Sequence, residues 1–243
     1  NTLTLESNRQ IKINFDGGDL SSDAGLLLIK EFAAKIGFTK LIKKKFKTND
    51  EAVRFHKDAE NLLQMIYQVI SAYFQDDCAD ELTLDPVFLA VLGKESLASQ
   101  PTLSRFFNRM DEDTLVQFND IDKKLRDIIY SIKRPEYVLF DLDSTLFGTY
   151  GKQEGEGFNF HYQAHGYHPL LCYDGLTGDL IKAELRDGTL YCSNGADKFM
   201  ESIFQEYLER GLKTYLRGDS GFSSPKLYET CEMNGCSWSY VKI

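Results

Sequence analysis

Apolar positions in the first half of the chain recur at helical spacing. Leu26, Leu27, Ile29, Phe32, Ala33 and Ile36 predict a helix capped by Ser22 or Asp23 and ended by Gly37. Leu62, Met65, Ile66, Val69, Ile70 and Tyr73 predict a longer one over 58–74. Further helices are expected at 85–92, 102–109 and 112–130, the last carrying Leu115, Phe118, Ile121, Leu125, Ile128 and Ile129. Ahead of them, Leu3, Leu5, Ile11, Ile13 and Phe15 alternate with polar residues, which predicts a strand or hairpin closed by Asp16-Gly17-Gly18.

At Arg134-Pro135 the period changes. Tyr137 to Phe140 is a short apolar run rich in strand formers, as in a buried strand. Pro169–Tyr173 and Leu180–Leu185 predict two more strands, joined through Asp174-Gly175 and Thr177-Gly178 as a hairpin. A helix over Ala196–Leu208 with Gly211 after it, a strand over Thr214–Arg217, a helix over Pro225–Met233 and a strand over Trp238–Ile243 complete the series. The expected fold class is α+β: a mainly helical region over 1–134, then a mixed sheet in the order β-β-β-α-β-α-β over 135–243. The last strand reaches the end of the chain, where a further covering helix would be expected.

Composition narrows the class. With 42% hydrophobic and 27% charged residues, disorder and fibrous repeats are excluded. No run approaches the roughly 18 apolar residues of a membrane helix, and the N-terminus lacks a signal-peptide progression. The chain opens on Asn1 rather than Met, as an excised piece of something longer would. Five cysteines without a C-x-x-C pair argue against a disulfide framework or a zinc site; Cys231 and Cys236 read as small core residues. The net charge of −9 speaks against a nucleic-acid binder until the chain is divided. Residues 1–135 carry 19 basic and 21 acidic side chains, residues 136–243 only 9 against 16. The acidic excess, suited to divalent cations, lies in the second part, and a lysine cluster (Lys40, Lys43, Lys44, Lys45, Lys47) in the first. That cluster reads equally as a solvated helix end and as a DNA-backbone contact; Arg105 and Arg109 are further candidates for the latter.

Asp141 and Asp143 close the first strand of the sheet, and period-two geometry puts both on one face with Leu142 on the other. A second acidic strand end follows in Arg217-Gly218-Asp219-Ser220-Gly221-Phe222. Isolated aspartates before Ser often merely cap turns. Two strand ends of one sheet, each closed by Asp in a Gly-, Ser- and Thr-rich stretch, favour a shared hard cation.

On these residues the second half resembles the catalytic core of the DDE-type transposases of bacterial insertion sequences, in particular the thirteen-eighty family. The stretches that carry the resemblance are Phe140–Leu146, Tyr150–Glu154, Asn159–Leu170, Leu185–Gly188 and Leu216–Phe222, with Tyr73–Asp77 and Ser99–Phe106 in the first half. It implies an RNase H-like fold in which Asp143 matches the first catalytic aspartate and Asp219 the second. With a glutamate these would hold two Mg²⁺ or Mn²⁺ ions. Asp141, about 7 Å deeper along the strand, is expected to orient the metal ligands rather than to bind. The family's glutamate lies on a helix after the fifth strand, and Glu229 and Glu232 on the preceding helix are expected to face solvent. The expectation is therefore a core truncated before its third acid and inactive as it stands. The intact protein would be a DNA-binding endonuclease of transposition and recombination, homodimeric, acting on terminal inverted repeats in the bacterial cytoplasm at the nucleoid, without a membrane. Lys152, Gln153, Asn159, His161 and Arg186 are expected to join Lys43, Lys44, Lys45 and Arg105 in contacting DNA. His161, His165 and His168 otherwise read as turn and strand-edge residues rather than as zinc ligands, since Gly166 and Pro169 interrupt any helix.

A competing reading is a haloacid-dehalogenase-like phosphatase, whose D-x-D-x-T motif fits Asp141 to Thr145, with Asp141 as nucleophile and Asp143 as acid/base. The long chain ahead of that strand and the hairpin after it count against it. A non-catalytic DNA-binding module is the third reading.

Overall fold

The computed structural model describes residues 2–18 and 20–241, the last two for their backbone alone. The expected strand at 238–243 therefore has its final two residues outside the described part. The chain divides into two compact units, Asn1–Ile129 and Tyr130–Ile243.

The first unit opens with an antiparallel hairpin, β1 (Thr2–Thr4) and β2 (Lys12–Asn14). Helices α1 (Leu26–Lys35), α2 (Phe38–Lys45), α3 (Asp58–Ile70), α4 (Cys78–Glu81), α5 (Pro86–Leu92) and α6 (Gln100–Phe107) follow. The last helix, α7 (Glu112–Ile132), runs three residues past the boundary between the units. Leu26, Leu27, Tyr67 and Phe88 anchor one core cluster, and Ile42, Phe46, Leu63, Phe106 and Ile121 another. Gly25, not Ser22 or Asp23, caps α1; Asp23 instead accepts the Tyr73 hydroxyl at 3.0 Å. Gly37, in the left-handed region at φ 73°, ends α1 and starts α2, so the lysine run is itself helical. Helix α3 stops at Ile70, short of the expected residue 74, and Ala72 turns left-handed at φ 65°.

In the second unit a five-stranded sheet is built from β3 (Tyr137–Ser144), β7 (Leu170–Asp174), β8 (Leu180–Glu184), β9 (Lys213–Asp219) and β10 (Ser237–Val241). Its order is β10-β9-β3-β7-β8. The pairs β3–β7 and β7–β8 are antiparallel; β9 runs parallel to β3, and β10 parallel to β9. Helix α8 (Ala196–Glu209) precedes β9 and α9 (Pro225–Met233) precedes β10. This is an α+β chain whose mixed sheet has the element order expected of an RNase H-like core. Between β3 and β7 the chain adds a small sheet of β4 (Phe147–Gly148), β5 (Gly157–Asn159) and β6 (Ala164–Tyr167), which no hydrophobic period announces.

Alternation along β3 sends Val138, Phe140 and Leu142 to the face covered by α8 and α9, where they bury with Leu216, Leu170, Phe199, Phe204, Tyr207 and Leu227. The Phe140 ring, fully buried, meets Tyr207 edge-on at 4.9 Å and Phe204 at 5.8 Å. The opposite face of β3 and β9 carries Tyr137, Asp141, Tyr215 and Arg217, all partly or largely exposed.

Candidate active site

The packing that buries Phe140 and Leu142 turns Asp141 and Asp143 the other way. In the parallel ladder Asp141 pairs with Arg217 and Leu142 with Gly218. One step further along, Asp143 and Asp219 fall side by side at the carboxyl ends of neighbouring strands, which lie about 4.8 Å apart. Both line one open cavity of about 420 Å³, together with Tyr173 and Gly175 of the β7–β8 hairpin.

The two carboxylates are anchored alike. Asp143 Oδ1 accepts the Ser144 N–H at 2.8 Å. Asp219 Oδ1 accepts the Gly221 N–H at 2.8 Å, in a single 3₁₀ turn over Ser220–Phe222. Each keeps its second oxygen out of these turn bonds. Tyr162 registers both charges: burial first, then the negative fields of Asp143 and Asp219, push its phenol above the usual value. Its hydroxyl donates to the Ser144 carbonyl at 3.3 Å. The Tyr191 phenol is likewise raised, mainly by Cys192 and further by Asp219.

Asp141 has a different environment. Arg217 grips it in two places, Nε to Oδ1 at 2.5 Å and Nη2 to Oδ2. The hairpin turn closes over the pair at Gly175, where a Cβ would come within 2.5 Å of Asp141 Oδ2. A side chain at this position would have to push the carboxylate aside. An aspartate with both oxygens on a guanidinium is a poor nucleophile, and β3 is followed by an antiparallel partner, so the phosphatase reading loses its two structural requirements.

Carboxylate oxygens suit hard divalent cations, and Asp143 with Asp219 offers two from adjacent strand ends. Asp174, which also borders the cavity, gives Oδ1 to the Leu176 N–H of its own turn. Among the described residues no three His, Cys, Asp or Glu side chains gather into a cation site. Glu229 and Glu232 are exposed on α9 and do not border the cavity.

Two of the residues expected to contact DNA are buried instead. Asn159, 5% exposed, donates from Nδ2 to the Gly188 carbonyl, and its Oδ1 accepts the N–H groups of His161 and Tyr162. Arg186, 7% exposed, spends its guanidinium on the carbonyls of His168, Tyr191, Cys192 and Asn194. Both hold loops in place through these bonds, Arg186 by its Nε and Nη1. Lys43, Lys44, Arg105, Lys152, Gln153 and His161 are exposed, while Lys45 is half-buried and 3.6 Å from Asp120. The histidines do not converge: His165 Nδ1 meets Glu156 at 2.9 Å, and buried His168 donates from Nδ1 to the Leu190 carbonyl at 2.7 Å. Cys231 and Cys236 are buried in the core, with the Cys231 thiol pushed far up by its hydrogen bond to Cys236 and by burial. Sequence reasoning misses Arg217, Tyr162 and Tyr191. A register signal for Arg217 is present, since it stands two residues before Asp219 as Asp141 does before Asp143.

No helix of the described residues is long and apolar enough to cross a membrane. The family described as transposase DDE domain, group 1, matches residues 3–241. No curated protein matches the chain. Solved structures similar to it include the piggyBac transposase synaptic complex with hairpin DNA, at 16% identity and a TM-score of 0.39, covering 90% of this chain and 49% of that one. The catalytic domain of the Mos1 mariner transposase is similar at 13% identity and 0.30, covering 53% and 61%. A chain of the simian T-cell lymphotropic virus intasome in complex with PP2A regulatory subunit B56 gamma is similar at 14% and 0.30, covering 44% and 32%. The chain thus spans less than two thirds of the length of each.

Proposed function

We propose, since the chain belongs to the transposase DDE domain family, group 1, that its acidic sheet end is the metal-dependent centre of a DNA strand-cleaving and strand-joining enzyme acting at transposon ends. The observation that carries this reading is the juxtaposition of Asp143 and Asp219 on one face of adjacent parallel strands, lining one cavity. These two side chains would hold divalent cations, Mg²⁺ or Mn²⁺. Bound there, such ions would supply the charge that activates a water or DNA 3′-hydroxyl and stabilises the leaving oxygen of a phosphodiester.

The chain's own residues do the rest. Ser144 and Gly221 fix the carboxylates through their N–H groups, so that little ordering remains to be done on binding. Asp141 and Arg217 form a neutral pair that positions β3 against β9 without adding net charge to the cavity. Lys43, Lys44, Lys45, Arg105, Lys152, Gln153 and His161 serve DNA phosphates, with residues 1–134 acting as the DNA-binding region and the active protein a homodimer in the bacterial cytoplasm. With two carboxylates in place of three, the 243-residue chain binds DNA and cations but does not cut.

The test is Mn²⁺ titration followed by electron paramagnetic resonance. Binding is expected in the intact chain, and Asp143→Asn or Asp219→Asn should each weaken it more than tenfold while circular dichroism stays the same. Unchanged Mn²⁺ affinity in both variants would remove the metal centre. DNA cleavage by the 243-residue chain would refute its inactivity.

A further inference from the structure

Asp219 borders a second cavity of about 410 Å³, beside the acidic one. Phe160, His161, Tyr162, Tyr191 and Cys192 line it with Asp219. Phe160 is 80% exposed and Tyr191 60% exposed, which is unusual for large aromatic side chains. Phe158 backs the Phe160 ring edge-on at 5.2 Å, and Tyr162 is wedged edge-on between His161 at 4.8 Å and His168 at 5.7 Å.

The walls of this cavity are built from buried polar side chains. Asn159 fixes the turn that presents Phe160 and Tyr162, and ties it to Gly188. Arg186 gathers the carbonyls of His168, Tyr191, Cys192 and Asn194, which sets the opposite wall. A loop held by two buried donors is pre-organised for its ligand.

Charge narrows the occupant. Among the described residues no lysine or arginine lines the cavity, and Asp219 supplies a negative field that already lifts the phenols of Tyr162 and Tyr191. No cationic side chain there would pair with a phosphate. A flat, neutral, aromatic group would be welcomed, stacking on Phe160 or Tyr191, with Tyr162, Ser220 and His161 available to its polar edge.

We propose that this cavity takes a single unstacked nucleobase of the DNA end, adjoining the carboxylate that faces the scissile phosphate. The assignment rests on the DNA reading above and adds the subsite to it. Extruding a base requires unstacking, least costly where the base is unpaired.

The experiment uses the 243-residue chain and two fluorescein-labelled duplexes, identical except that one ends in a single unpaired adenosine and the other in an abasic residue at that position. Fluorescence anisotropy in Mg²⁺ buffer should show the adenosine end binding about tenfold more tightly. Phe160→Ala and Tyr191→Ala, both at exposed positions, should bring the ratio of the two affinities toward one. Equal affinities in the unaltered protein would overturn the subsite while leaving the DNA reading standing. A preference that survives both substitutions would place the base elsewhere and overturn it as well. Failure to bind either duplex would overturn the DNA reading itself, and this one with it.

Discussion

Asp141 and Asp143 are two positions apart on one strand, yet their surroundings assign them opposite duties. Arg217 neutralises the first, while the second accepts the N–H of Ser144. The difference can be measured. Arg217→Ala leaves Asp141 uncompensated about 7 Å from Asp143, and at that range a partly screened negative charge should tighten Mn²⁺ binding about three- to tenfold. The double variant with Asp141→Asn should return the affinity to its starting value. If Arg217→Ala alone weakens cation binding, the pair does not serve to keep net charge out of the cavity. That Asp141 and Asp143 share a face follows from alternation and can be read from the residues in order. The ion pair cannot, because it depends on strand register, which no single strand encodes.

At the scale of elements, strand β3 decides whether the site exists, for it carries both the acidic face and the Phe140 face. Phe140→Ala removes a fully buried ring wedged between Phe204 and Tyr207, and should cost about 3–5 kcal/mol of stability, measured by urea unfolding. A loss below about 1 kcal/mol would mean that the helices on this face are not the main support of the strand. The hairpin at Asp174 to Gly178 and the helix over Pro225–Met233 are legible in the sequence because turn residues and a first-turn proline mark their edges. The small sheet of β4, β5 and β6 is not. Its strands are two to four residues long, and its closure depends on Gly188, where any Cβ would overlap the Gly166 carbonyl oxygen and stand 2.7 Å from that of Gly157. Asn159 and Arg186 pass for DNA contacts in the sequence for the same reason: polar residues in a glycine-rich stretch look exposed until the fold surrounds them.

For the whole molecule, net charge and its distribution govern behaviour in solution. A chain at −9 is repelled by DNA at long range, so attachment has to come from local basic surface. Replacing Lys43, Lys44 and Lys45 of α2 together by Ala should weaken DNA binding irrespective of sequence. It should also reduce the slope of log affinity against log salt by about 0.9 for each phosphate no longer neutralised. An unchanged slope would make the lysines a solvated helix end. Stability has its own pH signature in the first unit. Burial alone would raise the Asp58 carboxyl, but the Thr48 hydroxyl at 2.6 Å and the Arg109 guanidinium at 2.6 Å outweigh it, and the net shift is downward. A depressed carboxyl stabilises the fold above its ordinary value of 3.8 and loses that contribution as pH falls through the folded value. Thermal melts of Asp58→Asn should therefore fall below those of the unaltered chain near neutrality and converge with them in acid; a gap that persists unchanged in strong acid would assign the effect to packing.

Asp219 is a wall common to two chambers, and that has a thermodynamic corollary. Any guest that alters the field at this carboxylate from one side must change the affinity of whatever occupies the other, by a factor that is the same whichever arrives first. Cation uptake and occupancy of the aromatic recess are thus a single linked equilibrium.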